Sequence, residues 1–228
     1  MTNFSELASR TATARAQLLT IPVIARALRG EVTRELYLAF LAQAYHHVRH
    51  TVPLLMAVGS RLQGRQLWLQ KELVHYIEEE QGHDEWILSD IAAAGGNVAA
   101  IRDGAPAMET DVMIAYAYDT VTRRNPVAFF GMVYVLEGTS VALALNAADA
   151  IQRTLALPDK AFTYLRSHGT LDQQHIGDLA SIVDRLETTI DLPATVTCAR
   201  AMFRLYGDVF RSLDSRELDG GLRLQGAA

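Results

Sequence analysis

Residues 167–186 read SHGTLDQQHIGDLASIVDRL. Successive residues of a helix turn by about 100°, so steps of three and four return to nearly the same face. By those steps His168, Asp172, His175, Leu179, Ile182 and Leu186 form one stripe, and its first three members are two imidazoles and a carboxylate. Burying a carboxylate beside imidazoles costs on the order of several kcal/mol unless it is paired or bound to a cation. Neutral imidazole combined with carboxylate is also the ligand set that suits iron or manganese.

The same interruption of an apolar stripe occurs twice more. In ELVHYIEEEQGHDEWILSD (72–90), Leu73, Tyr76, Glu80, His83 and Ile87 share a face. Glu80 and His83 form Glu-x-x-His, the spacing by which one helix offers two ligands to one metal. Glu78, Glu79 and Glu80 are consecutive. Glu80 is the best phased with His83, and Glu79 is the fallback. Glu72-x-x-His75 repeats the spacing and is expected to be a bystander. In NPVAFFGMVYVLEGTSVALALNAADA (125–150), Phe130, Val133, Glu137, Ser140 and Ala144 share a face on which Glu137 is the one ionisable member. Three stripes thus supply three histidines and three carboxylates, enough for two metal ions.

Each motif alone has a plainer reading. His168, Asp172 and His175 also fit a hydrogen-bonded core group, a buried Glu137 fits an arginine partner, and one Glu-x-x-His fits surface chance. Their concurrence on three apolar stripes favours a metal. In AYHHVRH (44–50), His46 and His47 point about 100° apart, so at most one faces the core. His47 or Tyr45 is placed to reach the same pocket, or else to be a satisfied core or interface residue. Arg49, Arg61, Arg123 and Arg166 are candidates to hold a substrate carboxylate.

These groups need helices to carry them, and the chain is rich in helical periodicity. Strand alternation and hairpin turns are scarce. Pro22 opens a short helix ending near Gly30. Thr33 caps a long helix in which Pro53 predicts a kink. A helix over about 66–94 ends at Gly95-Gly96, and 95–106 forms the longest loop. A helix over about 108–123 follows. Asn125-Pro126 then supplies an N-cap and an N1 proline for a central helix. Pro158-Asp159 opens the segments reaching Leu186, and Pro193 starts a last helix to about Leu213. The expectation is one all-α domain of seven or eight helices over 1–213, with 214–228 disordered.

Composition bounds the function. The 228 residues are 50% hydrophobic and 21% charged, with net charge −5 and no basic block. Nucleic-acid binding, which needs a positive surface, is not expected. The single cysteine, Cys198, forms no intramolecular disulfide and no cysteine-rich zinc site. Residues 125–150 approach the roughly 20 apolar residues of a membrane span. Glu137 in their middle makes that costly, so they read as the buried central helix of a bundle. No signal-peptide pattern opens the chain. A soluble cytoplasmic protein with a small-molecule substrate is expected, with a homodimer as its candidate assembly.

Glu80-x2-His83, Glu137 some 54 residues later, and His168-x3-Asp172-x2-His175 together resemble the haem-oxygenase-like diiron oxidases, iron-containing redox enzymes of the TenA-like superfamily. The resemblance spans about 20–213. It implies a haem-oxygenase-like (TenA-like) helical bundle that binds two Fe(II), or Mn, and uses O2 to oxidise small organic acids or amines. One iron would be held by Glu80, His83 and His168, the other by Glu137, Asp172 and His175. An apolar wall of Phe129, Phe130, Met132, Val133 and Tyr134 would exclude water. Four related activities fit less well, among them the cofactor-free pyrroloquinoline-quinone-type oxidase, which has a basic pocket and no metal set. Haem oxygenase needs an early histidine ligand, yet no histidine precedes His46. A thiaminase-type hydrolase needs a cysteine on the central helix, whereas Cys198 lies on the last. Ferritin-like bundles place Glu-x-x-His on two helices.

Overall fold

A computed structural model of the chain describes residues 1–218, the side chains of Gln173 and of 215–218 aside. Eleven α-helices and three short 3-10 turns make up the architecture, with no strand among the described residues. The helices are α1 (Asn3–Leu19), α2 (Pro22–Leu28), α3 (Arg34–Val48), α4 (Thr51–Arg61), α5 (Leu69–Glu80), α6 (His83–Ala93), α7 (Val98–Arg102), α8 (Met108–Arg123), α9 (Phe130–Leu155), α10 (Thr163–Asp184) and α11 (Asp191–Leu218). The helix count exceeds seven or eight because two runs that the apolar pattern leaves continuous divide, into α3 with α4 and α5 with α6, and because α1 and α7 are additional.

The predicted caps are present. Thr33 Oγ1 accepts from the Leu36 N–H at 3.1 Å, and Asn125 Oδ1 accepts from Val127 N–H at 3.2 Å. Asn125 and Pro126, however, open the 3-10 turn Pro126–Phe129 that leads into α9, which itself starts at Phe130 with no side-chain cap. Other expectations change. The kink at Pro53 is a full break at Arg49–His50, which leaves the proline in the first turn of α4, where its missing N–H costs no helical bond. The loop 95–106 contains the short helix α7, capped by Asn97. A further helix, α1, precedes Pro22 and packs along α11 and α10. The last helix starts at Asp191 and runs to Leu218, five residues past Leu213, so the tail expected to be disordered from 214 is helical that far. The rest of that tail, 219–228, lies outside the described residues.

One break bears directly on function. The helix expected over 66–94 is two helices, α5 and α6, separated at Gln81-Gly82. Gly82 has φ +88°, the left-handed region that glycine enters without a Cβ penalty.

The central helix is the prolonged apolar segment. Residues 126–155 are long and apolar enough to cross a membrane by length and composition, but 61% of their most apolar window is buried inside the bundle. α9 packs most extensively on α10 and also lies against α11 and α2. Its partners therefore supply the apolar surroundings, as in a core helix. α3 packs on α6 and α11, and α6 on α10. The buried carboxylate of Asp90, on α6, accepts from the N–H groups of Thr163 at 3.0 Å and Tyr164 at 2.8 Å. Those are free donors at the start of α10, so Asp90 ties α6 to the helix that carries His168, Asp172 and His175.

Candidate metal centre

The six residues on the three stripes converge in the middle of the bundle. Glu80 is the last residue of α5 and His83 the first of α6. Glu137 sits on α9, and His168, Asp172 and His175 project from α10. All are buried except His168, whose side chain is 12% exposed. Two sets of three have ligand atoms within 4.8 Å of one another: Glu80, His83 and His168, and Glu80, Glu137 and His175. An ion with ligands at about 2.1 Å spans donors up to about 4.2 Å apart, so both sets are near closure.

The first set is the one the resemblance implies. The second takes Glu80, common to both, alongside Glu137 and His175. Asp172 stands between the two histidines of α10, its Oδ1 3.4 Å from Nδ1 of His168 and 3.4 Å from Nδ1 of His175. Glu80 Oε2 is 3.2 Å from His83 Nδ1. Glu79, the fallback ligand, belongs to neither set. It meets the opposite edge of His175, with Oε2 3.3 Å from Nε2. His75 reaches Glu79 rather than the centre.

The electrostatics are those of crowded anions. Burial first, then Asp172 and Glu80, push the Glu137 carboxyl well above the ordinary range. Burial also pushes Asp172 upward, but the imidazoles of His168 and His175 outweigh it and hold Asp172 below its usual value. His175 is raised, chiefly by Asp172. Several donor atoms here are buried without a hydrogen bond: Nδ1 of His83 and of His175, Nε2 of His168, Oε2 of Glu137, and both oxygens of Asp172. Buried polar atoms are ordinarily paired. These six orphans all belong to imidazole or carboxylate, the donor types that could hold a divalent transition metal. The residues fit iron or manganese. No arginine or lysine neutralises Glu137, so the arginine-pair reading of that residue lacks a partner among the described contacts.

Aromatic rings pack the histidines. Trp86 stacks on His83 with centroids 4.0 Å apart, Tyr164 lies 4.7 Å from His168, and Tyr76 lies 5.9 Å from His175. Apolar spacing alone does not single out Trp86 or Tyr164. Their positions, three residues after His83 and four before His168, put each on its histidine's own helical face.

A cavity of about 160 Å³ opens from the centre, a volume near that which admits a benzene-sized body (~150 Å³). Glu80, Glu137, His168 and Asp172 line one part, and the rest is mainly aliphatic and aromatic, extending to Val23, Ala27, Ile151 and Leu213. His47 lines it and His46 does not, although both are buried, so the expectation that at most one of them faces the core does not hold. His47 is buried, its Nδ1 has no hydrogen-bond partner, and burial pushes its pKa down to about 3. Of the expected apolar wall, Phe129, Met132 and Val133 face the cavity. Phe130 instead packs edge-on to Tyr76, and Tyr134 packs against Phe4 and Phe203. The four arginines considered for a substrate carboxylate are engaged elsewhere. Arg49 lies over Tyr45, Arg61 donates to the Val121 carbonyl, Arg123 pairs with Asp119, and Arg166 pairs with Asp149 and Gln152. Among the described residues, no arginine or lysine lines the cavity. Cys198 is buried on α11 outside the cavity lining.

Comparison with solved structures places the fold. A domain of unknown function with a haem-oxygenase-like fold from Shewanella denitrificans OS217 superposes with TM-score 0.85 at 24% identity, covering 99% of this chain and 98% of that one. A TenA homologue from Pseudomonas syringae pv. tomato DC3000 has TM-score 0.78 at 10% identity over 92% of both chains. Haem oxygenase-1 from the cyanobacterium Synechocystis sp. PCC 6803, solved with haem, has TM-score 0.73 at 11% identity over 96% of both. The architecture is therefore the haem-oxygenase-like, TenA-like helical bundle. No curated protein matches the chain. The sequence model of the iron-containing redox enzymes matches residues 38–207, a span that holds all six converging residues, and the chain belongs to that family.

Proposed function

We propose that the protein is an O2-dependent non-haem diiron oxidase or oxygenase acting on a small organic acid or amine with an apolar body. The observation that carries this reading is the convergence of six orphaned imidazole and carboxylate atoms beside a mainly apolar cavity. Glu80, His83 and His168 would hold one ion. Glu137 and His175, with Glu80 shared and Asp172 between the histidines, would hold the other. Two irons, when bound there, would supply the redox chemistry that couples reduction of O2 to oxidation of a bound organic molecule.

The chain's own residues have three tasks. The carboxylates offset the charge of the cations, so that a buried site of this kind is tolerable. Phe129, Met132 and Val133 keep water away from the reacting molecule. His47, neutral at working pH, faces the cavity with one nitrogen unpaired and can hydrogen-bond a substrate's polar group. Because no arginine or lysine among the described residues lines the cavity, a substrate carboxylate would find its countercharge at the metal end.

The test is an anaerobic Fe(II) titration of metal-free protein, followed by O2 under visible absorption. Saturation near two irons per chain and a transient charge-transfer band are expected. Saturation at one or none, with no band and no O2 uptake, would instead mark a binding protein built on the same fold.

A further inference from the structure

Glu79 and Glu80 are adjacent in sequence, yet they address opposite edges of one imidazole. The Nδ1 edge of His175 faces Asp172 Oδ1 at 3.4 Å, Glu137 Oε1 at 3.7 Å and Glu80 Oε1 at 4.0 Å. Its Nε2 edge faces Glu79 Oε2 at 3.3 Å. Neighbouring residues on a helix point about 100° apart, and here that divergence, at the last turn of α5, places one carboxylate on each side of the ring. The other oxygen of Glu79 lies 3.4 Å from Nε2 of His75. The side chains grade outward, with Glu80 8% exposed, Glu79 27% and His75 51%.

We propose that Glu79 is a positioning residue for the metal centre, which carries no metal itself but fixes His175 in the tautomer whose Nδ1 lone pair faces the centre. The proposal rests on the metal-centre reading above. A neutral imidazole has one N–H and one lone pair. If Nδ1 is to bind a cation, the proton must sit on Nε2 and needs an acceptor there. Glu79 is the carboxylate in place to accept it. Metal-binding histidines commonly donate their second N–H in this way, and loss of such a partner weakens metal affinity by roughly 10- to 100-fold. His75, at the surface, holds the second oxygen of Glu79 and thereby limits its rotation. The run Glu78-Glu79-Glu80 then divides its roles by depth: Glu78 is exposed to solvent, Glu79 orients, and Glu80 faces the metals.

Zn(II) titration with histidine-15N NMR tests this, because zinc is diamagnetic and needs no turnover. Wild-type protein should take up zinc and show a slowly exchanging Nε2–H on His175. Glu79→Ala should remove that resonance and weaken one of the two binding steps by about 10- to 100-fold, leaving the other unchanged. Glu79→Gln retains a carbonyl acceptor and should recover most of the loss, which a merely structural role would not produce. Unchanged affinities and an unchanged His175 proton in Glu79→Ala would overturn the proposal. So would a loss in Glu79→Ala that Glu79→Gln fails to restore, since Glu79 would then be a ligand. A wild-type chain that binds no zinc, Fe(II) or Co(II) overturns the metal-centre reading and the proposal with it.

Discussion

Glu80 and His83 are three residues apart and 3.2 Å apart, yet they belong to different helices. The chain leaves α5 at Glu80, turns through Gly82 at φ +88°, and enters α6 at His83. The pair therefore comes from the two sides of a helix break rather than from successive turns of one helix. Its spacing survives because the turn still delivers both side chains to the same buried face.

Glu80 is common to both converging sets. Glu80→Ala should reduce metal uptake at both sites, whereas His83→Ala should leave the step that involves Glu137 and His175 largely intact. Isothermal titration with Mn(II) or anaerobic Fe(II), compared across the two variants, reads the difference. Equal loss in both variants would contradict the shared role.

The metal-free centre should hold protons that a metal displaces. His175 is raised above 6.5 and Glu137 lies well above the carboxylate range, so metal affinity should climb with pH through neutrality, by up to about tenfold per unit for each proton released. Proton release into a weak buffer on Fe(II) addition measures it. For stability the sign is opposite. A histidine whose folded pKa is raised contributes stabilisation that is complete below its unfolded value of about 6.5 and lost as pH passes the folded value. Metal-free protein should therefore lose the His175 contribution as pH rises above about 6.5. A denaturation series from about pH 6 to 8, with the His175→Gln variant as reference, isolates it.

His47 should remain neutral throughout the range in which the protein is folded, since burial drives its pKa down to about 3. Protonation then favours the unfolded chain, so between about pH 6.5 and 3 its contribution destabilises as pH falls, by up to about 1.4 kcal/mol per unit. Imidazole NMR shifts followed from about pH 8 to 5 should show no titration of His47. A midpoint near about 6 would place the ring in water rather than in the cavity wall.

Gly131 lies where α9 meets α11. A Cβ there would press on the Thr195 carbonyl and stand 2.7 Å from the Ala199 backbone nitrogen. Gly131→Ala should cost about 1–3 kcal/mol, visible as a lower Tm. At Gly138, on the same helix, a Cβ would meet nothing within 4 Å, and Gly138→Ala should be neutral or stabilising by roughly 0.5–1 kcal/mol. The opposite signs separate local packing from a general intolerance of α9.

Cys198 is buried, and its thiol is pushed up to about 12 by burial. It should resist a thiol reagent in the native protein and react fully in denaturant. Rapid native labelling would contradict the burial of the thiol on α11.

The three polar interruptions of apolar stripes were legible from residue order, because helical periodicity is local and a buried ionisable group stands out against leucines. The caps at Thr33 and Asn125 were legible for the same reason: each bond is made within three residues. The amino-terminal helix α1 left little trace, since its buried face is narrow, with Leu7, Thr11 and Leu18 its fully buried members. What tertiary structure decided is which edges meet. Sequence phasing ranked Glu80 over Glu79, but only the packing of α5 against α10 sets the two on opposite sides of His175. Only packing, too, turned His47 toward the cavity and His46 away, left the four arginines in other partnerships, and put Trp86 and Tyr164 against the histidines. A residue's place on its helix follows from its own neighbours along the chain. The partner it faces depends on how distant segments dock, and that is set by the summed burial of many side chains, to which no single motif gives access.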